Sequence, residues 1–221
     1  MKNREAPHAY YPVMLNVRDK KCLVIGGGIV ALRKARMLME HGARVVLVSP
    51  EIVPELSQLA DGGLIKTITR EYETKDLNDA FLVIAATDNA RLNEKVATET
   101  RKKKILVNVV DKPDISDFIV PAYFRNGEII VAVSTSGKSP ALARKIKNEL
   151  ENELRTEYSQ LAEIAGDVRN ELKKKGIPVT AEEWQAALDL NSLIDLIKRH
   201  KIREAKEIML AKLTSVTSRE S

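Results

Sequence analysis

A strand, a glycine turn and a helix follow one another directly near the start of the chain. Lys21-Cys22-Leu23-Val24-Ile25 is apolar, Gly26-Gly27-Gly28-Ile29-Val30-Ala31 supplies the turn, and a striped run opens at Leu32-Arg33-Lys34-Ala35. Gly26 can make the turn, Gly28 lets the backbone approach a phosphate without a Cβ, and Ala31 permits close helix-strand contact. The helix N-terminus, beginning with Ile29 and Val30, then presents free N–H groups to an anion. A G-x-G-x-x-A string alone is only a βα connection. Its setting narrows it: Leu32, Ala35, Leu38 and Met39 share a helical face, His41-Gly42 ends the helix, and Arg44 to Ser49 reads as the next buried strand. That βαβ unit favours a bound dinucleotide over a bare turn.

The rest of the first half repeats the alternation. Ile52 to Ala60 reads as a short helix, Leu64 to Thr69 as a strand, Phe81 to Ala86 as a fully buried strand, Asn89 to Lys102 as a helix and Ile105 to Val110 as another strand. Such a pattern predicts a parallel sheet with helices on both faces and a ligand crevice beyond the carboxyl ends of its strands. Gly28, Ser49, Thr87, Asn108 and Asp111 all map to that edge. An acidic residue about 20 positions past the turn would take the ribose hydroxyl of NAD. Here the second strand ends Val48-Ser49-Pro50-Glu51, which leaves both NAD and NADP open.

After Lys112-Pro113 the pattern changes. Asp117 to Tyr123 and Glu128 to Ser134 read as a hairpin turning at Asn126-Gly127. In Thr135-Ser136-Gly137-Lys138-Ser139-Pro140, Ser139 suits an N-cap and Pro140 the first helical position. The helix that follows carries Leu142, Ile146, Leu150, Leu154 and Leu161 on one stripe and is expected to run towards Lys175. Thr180 and Glu183 form a capping-box pair before Trp184, a last helix covers Ile202 to Leu213, and the tail from Thr214 is expected to fray.

Composition removes several functions. In 221 residues the longest apolar run is Phe81 to Ala86, far short of the roughly 20 residues that span a bilayer. The first nine residues are polar and lack the apolar stretch of a secretory signal, so a cytoplasmic protein is expected. Cys22 has no partner for a disulfide. His8, His41 and His200 lie far apart, so no metal site is expected and proton transfer falls to a carboxylate. Beyond Leu150 there are 12 basic against 13 acidic residues, so the net charge of +5 belongs to the first part. An anionic ligand suits that excess, whereas aromatics at 4% and no recognition motif argue against nucleic acid.

Three separated segments resemble one family. The turn and helix from Cys22 to Leu38, Val107-Asn108-Val109-Val110-Asp111 followed by Phe118-Ile119-Val120-Pro121, and Val131 to Arg144 with its Ser136-Gly137-Lys138-Ser139-Pro140 core look like the sirohaem synthase dehydrogenase module. The resemblance covers residues 10 to 150 and extends weakly into the helical tail. It implies an α/β fold. A Rossmann-type NAD-binding domain is expected over residues 1–112, then a small α+β hairpin-and-helix region for dimerisation and substrate over 113–150, then a helical C-terminal domain over 151–221. It implies the form without a methyltransferase domain, working as a homodimer. The implied activity is oxidation of precorrin-2 to sirohydrochlorin with NAD as hydride acceptor, with Fe²⁺ as a further substrate where the chelatase reaction accompanies it. Asp111 corresponds to the family's catalytic acid. Gly26, Gly28, Ile29, Val30, Ala31, Ser49, Pro50, Glu51, Thr87 and Asn108 are the expected cofactor contacts, and Ser134, Ser136, Lys138 and Ser139 the expected substrate contacts. Asp111 also suits a plain strand-end turn, and Ser139 plain capping. A nucleotide-sensing module without chemistry, which would need neither Asp111 nor the Ser134 to Pro140 segment, stands as the alternative.

Overall fold

The computed structural model describes residues 10–154 and 156–217; the polar segment before Tyr10, with His8, and the last four residues lie outside the described residues. The chain divides into two compact units between Val120 and Pro121.

The first unit is a parallel sheet of β1 (Lys21–Ile25), β2 (Arg44–Val48), β3 (Lys66–Ile68), β4 (Leu82–Ala85) and β5 (Leu106–Val109) in the order β3-β2-β1-β4-β5. Strand alternation sorts the apolar residues onto two faces. Leu23 and Ile25 pack with Val83, Val107 and with Val96 and Ala97 of α3 (Ala90–Lys102). On the other face Val24 and Leu47 pack with Ala31, Leu32 and Ala35 of α1 (Ile29–Glu40) and Leu56 of α2 (Pro54–Asp61). Burying both faces is what lets β1 and β4 be apolar at nearly every position. Cys22 is fully buried, and burial pushes its thiol up to about 11, so it is a packing group.

Where the sequence places a boundary at Lys112, the first unit continues to Val120 for a hydrogen-bonding reason. Beyond β5 the chain folds back along this edge strand: Val107 N–H donates to Asp117 Oδ2 (3.0 Å), Asp117 N–H donates to the Val107 carbonyl (2.8 Å), and Val109 N–H donates to Ser116 Oγ (2.9 Å). Side chains thus occupy donors that a sixth strand would otherwise take. Residues 117–120 are accordingly not part of the hairpin strand expected there.

In the second unit β6 (Ala122–Asn126) and β7 (Ile129–Val133) pair antiparallel. The central turn residues are Gly127 and Glu128, not Asn126 and Gly127. Gly127 takes φ +57°, while Asn126 pairs with Ile129 and donates from its amide to the Leu154 carbonyl (3.0 Å). That hydrogen bond lies at the break in the long helix expected from the leucine stripe. Instead α4 (Pro140–Glu153) stops at Leu154 and α5 (Thr156–Lys174) begins separately. α6 (Ala181–Ala187) starts on the expected capping box, with Thr180 and Glu183 bonding each other's backbone N–H. α7 (Leu190–Lys198) is a helix that the sequence reading passed over; Asp189 caps it by accepting from Ser192 N–H. α8 (Ile202–Thr217) includes residues 214–217, where fraying was expected; the rest of that tail lies outside the described residues. Leu161, Ile164, Val168 and Leu172 of α5 meet Leu193 and Ile197 of α7 and Ala205, Met209 and Leu213 of α8 in one core. No helix of the described residues is long and apolar enough to cross a membrane.

Candidate functional site at the carboxyl edge of the sheet

β1 lies between β2 and β4, so the chain crosses from one side of the sheet to the other there, and the loops after β1, β2, β4 and β5 frame one edge. Hydrogen bonds carry the strands past their formal ends. Gly26 N–H donates to the Val48 carbonyl (3.0 Å), Ala86 N–H to that of Ile25 (2.8 Å) and Val110 N–H to that of Ala85 (2.9 Å).

The three glycines serve different ends. Gly26 has φ +121°, and a Cβ there would strike the Ala86 carbonyl. Gly27, which the motif leaves free, is equally constrained: a Cβ would strike the Glu51 carbonyl and come within 2.7 Å of Ser49 Oγ, and the Gly27 carbonyl accepts from Val53 N–H (2.9 Å). The turn is therefore built against the loop after β2. Three glycines in succession were the only sequence signal of this second contact. Gly28 is the N-cap of α1, and a Cβ there would meet nothing within 4 Å. Protein packing gives no reason for glycine at this position; close approach of a ligand would.

Two features leave the start of α1 open to an anion: no side chain caps it, and its first turn holds no acidic residue. Ile29 is exposed, Val30 half-buried, and Ala31 fully buried against the sheet. Ser49 is buried and donates to the Glu51 carbonyl (2.6 Å), so its hydroxyl is engaged within the loop, while Pro50 and Glu51 are exposed beside it. Thr87 Oγ1 donates to Asn93 Oδ1 (2.8 Å), and Asn93 Nδ2 donates to the Thr87 carbonyl (2.9 Å). Both line a depression of about 160 Å³ with Asp88, Glu94, Val110 and Lys112. Asn108 stands near the end of β5. It is buried, and its amide nitrogen donates to the Phe118 carbonyl (2.9 Å), a structural use that its position in the strand did not disclose.

Asp111 follows β5 in the left-handed conformation, φ +59°, with its side chain exposed. Asp tolerates this conformation better than most residues. Lys34 of α1 is half-buried. Burial, and then the like charge of Arg33, lower its ammonium below the ordinary lysine value, and Asp111 opposes that shift.

The loop from Ser134 to Ser139 belongs to the second unit. Ser136 N–H donates to Ser134 Oγ (3.0 Å), Ser139 N–H to Thr135 Oγ1 (2.9 Å), and Ser139 Oγ accepts from Leu142 N–H (3.2 Å) at the start of α4. Two of the four expected substrate contacts thus act as caps within their own loop. Ser136, at φ +53°, and Lys138 are exposed. Among the described residues no cluster of three or more His, Cys, Asp and Glu could hold a metal ion.

A family model described as "Putative NAD(P)-binding" matches residues 13–122, and one described as "Sirohaem biosynthesis protein central" matches residues 127–153. The siroheme synthase of Methylococcus capsulatus is 37% identical over 204 residues, covering 91% of this chain and 43% of that protein. That of Nitrosomonas europaea is 43% identical over 169 residues, covering 76% of this chain and 36% of that protein. The chain therefore spans less than half the length of these curated relatives. The solved structure of SirC, a precorrin-2 dehydrogenase, shares the fold with a TM-score of 0.67 at 23% identity, covering 93% of this chain and 100% of that one. With a glycine cradle against a parallel sheet, a hairpin and helix matching the sirohaem model, and relatives aligned over most of this chain, the chain belongs to the sirohaem synthase family.

Proposed function

We propose that the chain is an NAD-dependent dehydrogenase that oxidises precorrin-2 to sirohydrochlorin. The observation that carries the reading is the open space at Gly28, at an uncapped helix N-terminus, on the same sheet edge as Asp111. A pyrophosphate fits that cradle: the N–H groups of the first turn of α1 would hold it, with the Gly26-Gly27 turn fixed against the loop after β2. When bound, NAD supplies the hydride acceptor. Precorrin-2 loses two hydrogens, one as a hydride and one as a proton, and the Asp111 carboxylate takes the proton. Glu51, exposed at the end of β2, would sit beside the adenosine ribose, where its charge disfavours a 2′-phosphate; this supports NAD over NADP. Ser136 and Lys138 remain free in their loop to meet substrate carboxylates, and Ser134 and Ser139 would act by shaping it.

Insertion of Fe²⁺ into sirohydrochlorin would use the same carboxylate to collect the protons that leave the macrocycle, the ion being held by the macrocycle nitrogens. The two-stranded β6–β7 ribbon, with Ile130 and Leu142 partly exposed, supports a homodimer through the second unit. Incubating purified protein anaerobically with precorrin-2 and NAD tests the main reading. NADH absorbance and the sirohydrochlorin spectrum should rise together; a protein that binds NAD and leaves precorrin-2 unchanged would be the nucleotide-sensing module instead. A separate incubation with sirohydrochlorin and Fe²⁺ tests chelation, and light scattering tests the dimer.

A further inference from the structure

Lys34 is a charged group of α1 that the proposed chemistry leaves unused. It stands on α1, one turn before Leu38, and Leu38 packs on the same apolar cluster, Cys22, Leu82 and Ile84, as Val110, the residue before Asp111. Helical side chains lean towards the N-terminus. The long Lys34 stem therefore runs back towards the carboxyl edge of the sheet, where Asp111 lies.

Lys34 is half-buried, and among the described residues no carboxylate comes within ion-pair distance of its ammonium. The charged groups that act on it are Arg33, of like sign, and Asp111, which is solvent-exposed and attracts it from beyond direct contact. A half-buried lysine with no carboxylate partner among the described residues can take an anion that arrives with a ligand. The pyrophosphate cradle is at Gly26 to Gly28; Lys34 shares the helix face of Leu38, which packs in the cluster that holds Val110. A polycarboxylate ligand approaching there would be repelled by the Asp111 carboxylate, and a cation beside it offsets that repulsion.

We propose that Lys34 is a substrate-binding residue that takes one carboxylate of the tetrapyrrole beside Asp111. This rests on the dehydrogenase reading above. The alternative source of the anion is the dinucleotide pyrophosphate, and separate binding measurements distinguish the two.

Dissociation constants for sirohydrochlorin, from its fluorescence, and for NAD, by calorimetry, would be measured on the full chain as wild type, Lys34→Gln, Lys34→Arg and Lys66→Gln. The last removes the same charge from an exposed site on β3. Loss of one charge-assisted contact should weaken sirohydrochlorin binding roughly tenfold to a hundredfold in Lys34→Gln, with NAD binding within about twofold of wild type. Lys34→Arg should recover most of the loss, and Lys66→Gln should show little. Equal weakening in Lys66→Gln, an NAD loss as large as the sirohydrochlorin loss, or unchanged binding in Lys34→Gln would each overturn the assignment while leaving the proposed function intact. A wild-type chain that binds NAD but no sirohydrochlorin would overturn the proposed substrate, and this assignment with it.

Discussion

Alanine at Gly28 and alanine at Gly27 should do opposite things, although the two residues are neighbours in one turn. At Gly28 the backbone has φ −86°, which alanine adopts freely, and the added Cβ meets nothing within 4 Å. Alanine is a poorer N-cap than glycine by about 1 kcal/mol, and the stiffer unfolded chain returns about 0.4–1 kcal/mol, so the net change in stability is near zero. The same methyl stands where the proposed pyrophosphate would approach α1. Losing one charge-assisted N–H contact of about 1.5–3 kcal/mol should raise the NAD dissociation constant roughly tenfold to a hundredfold. At Gly27 the Cβ runs into the backbone carbonyl of Glu51, which cannot swing aside as a side chain can. Relief requires moving residues 49–53 and stretching the hydrogen bond from Val53 N–H to the Gly27 carbonyl. Overpacking of about 1–3 kcal/mol with a lost hydrogen bond of about 1 kcal/mol predicts a Tm lowered by roughly 5–15 °C. Thermal unfolding by circular dichroism and NAD titration by calorimetry on both variants test this. A Gly28→Ala protein that binds NAD as wild type does, or that melts as early as Gly27→Ala, would refute the assignment of Gly28 to the ligand and Gly27 to the fold.

Asp111→Asn should keep NAD affinity within about twofold and lower turnover of precorrin-2 by roughly 10²-fold or more; near-normal turnover would remove Asp111 from the mechanism. Glu51→Gln should raise the use of NADP relative to NAD by roughly threefold to tenfold in steady-state assays, and an unchanged ratio would place the discrimination elsewhere. Asp76 is buried; burial alone would push its carboxyl up, but two hydrogen bonds from Arg70 (2.6 and 2.9 Å) and one from Glu73 N–H (2.9 Å) outweigh it and hold the carboxyl below its ordinary value. A depressed folded-state value means that this stabilisation is present above about pH 4, the unfolded carboxyl's range, and is lost as pH falls through the lower folded value. Asp76→Asn should lower Tm at pH 7 and flatten its fall between pH 4 and pH 2, as followed by melting curves across that range; a parallel fall in both proteins would contradict this.

Local chemistry was enough for what depends on neighbours along the chain. The alternation of apolar strands with striped helices specifies the parallel sheet. The capping signals at Ser139-Pro140 and at Thr180 with Glu183 act within three residues, and they stand where the pattern puts them. Elements that answer to a distant partner were not legible. The hairpin turn moves because the Asn126 amide reaches Leu154, the long helix stops at that same carbonyl, and residues 117–120 lie along β5 because Asp117 and Ser116 satisfy its outward N–H groups. Asp189 and the leucines after it carried a signal for α7, masked by the short spacing from α6.

The glycine turn shows the same division within a few residues. Its spacing alone points to an approach for a phosphate at the start of α1, because conformational freedom and a missing Cβ are properties of the residue itself. Only the tertiary structure decided which glycine serves which purpose. It set Gly27 against the loop after β2, left Gly28 facing open space, and tied the Asn108 amide to the Phe118 carbonyl. Each of these depends on what a side chain or a missing Cβ meets across the sheet, and such contacts join residues whose separation in sequence carries no local signal.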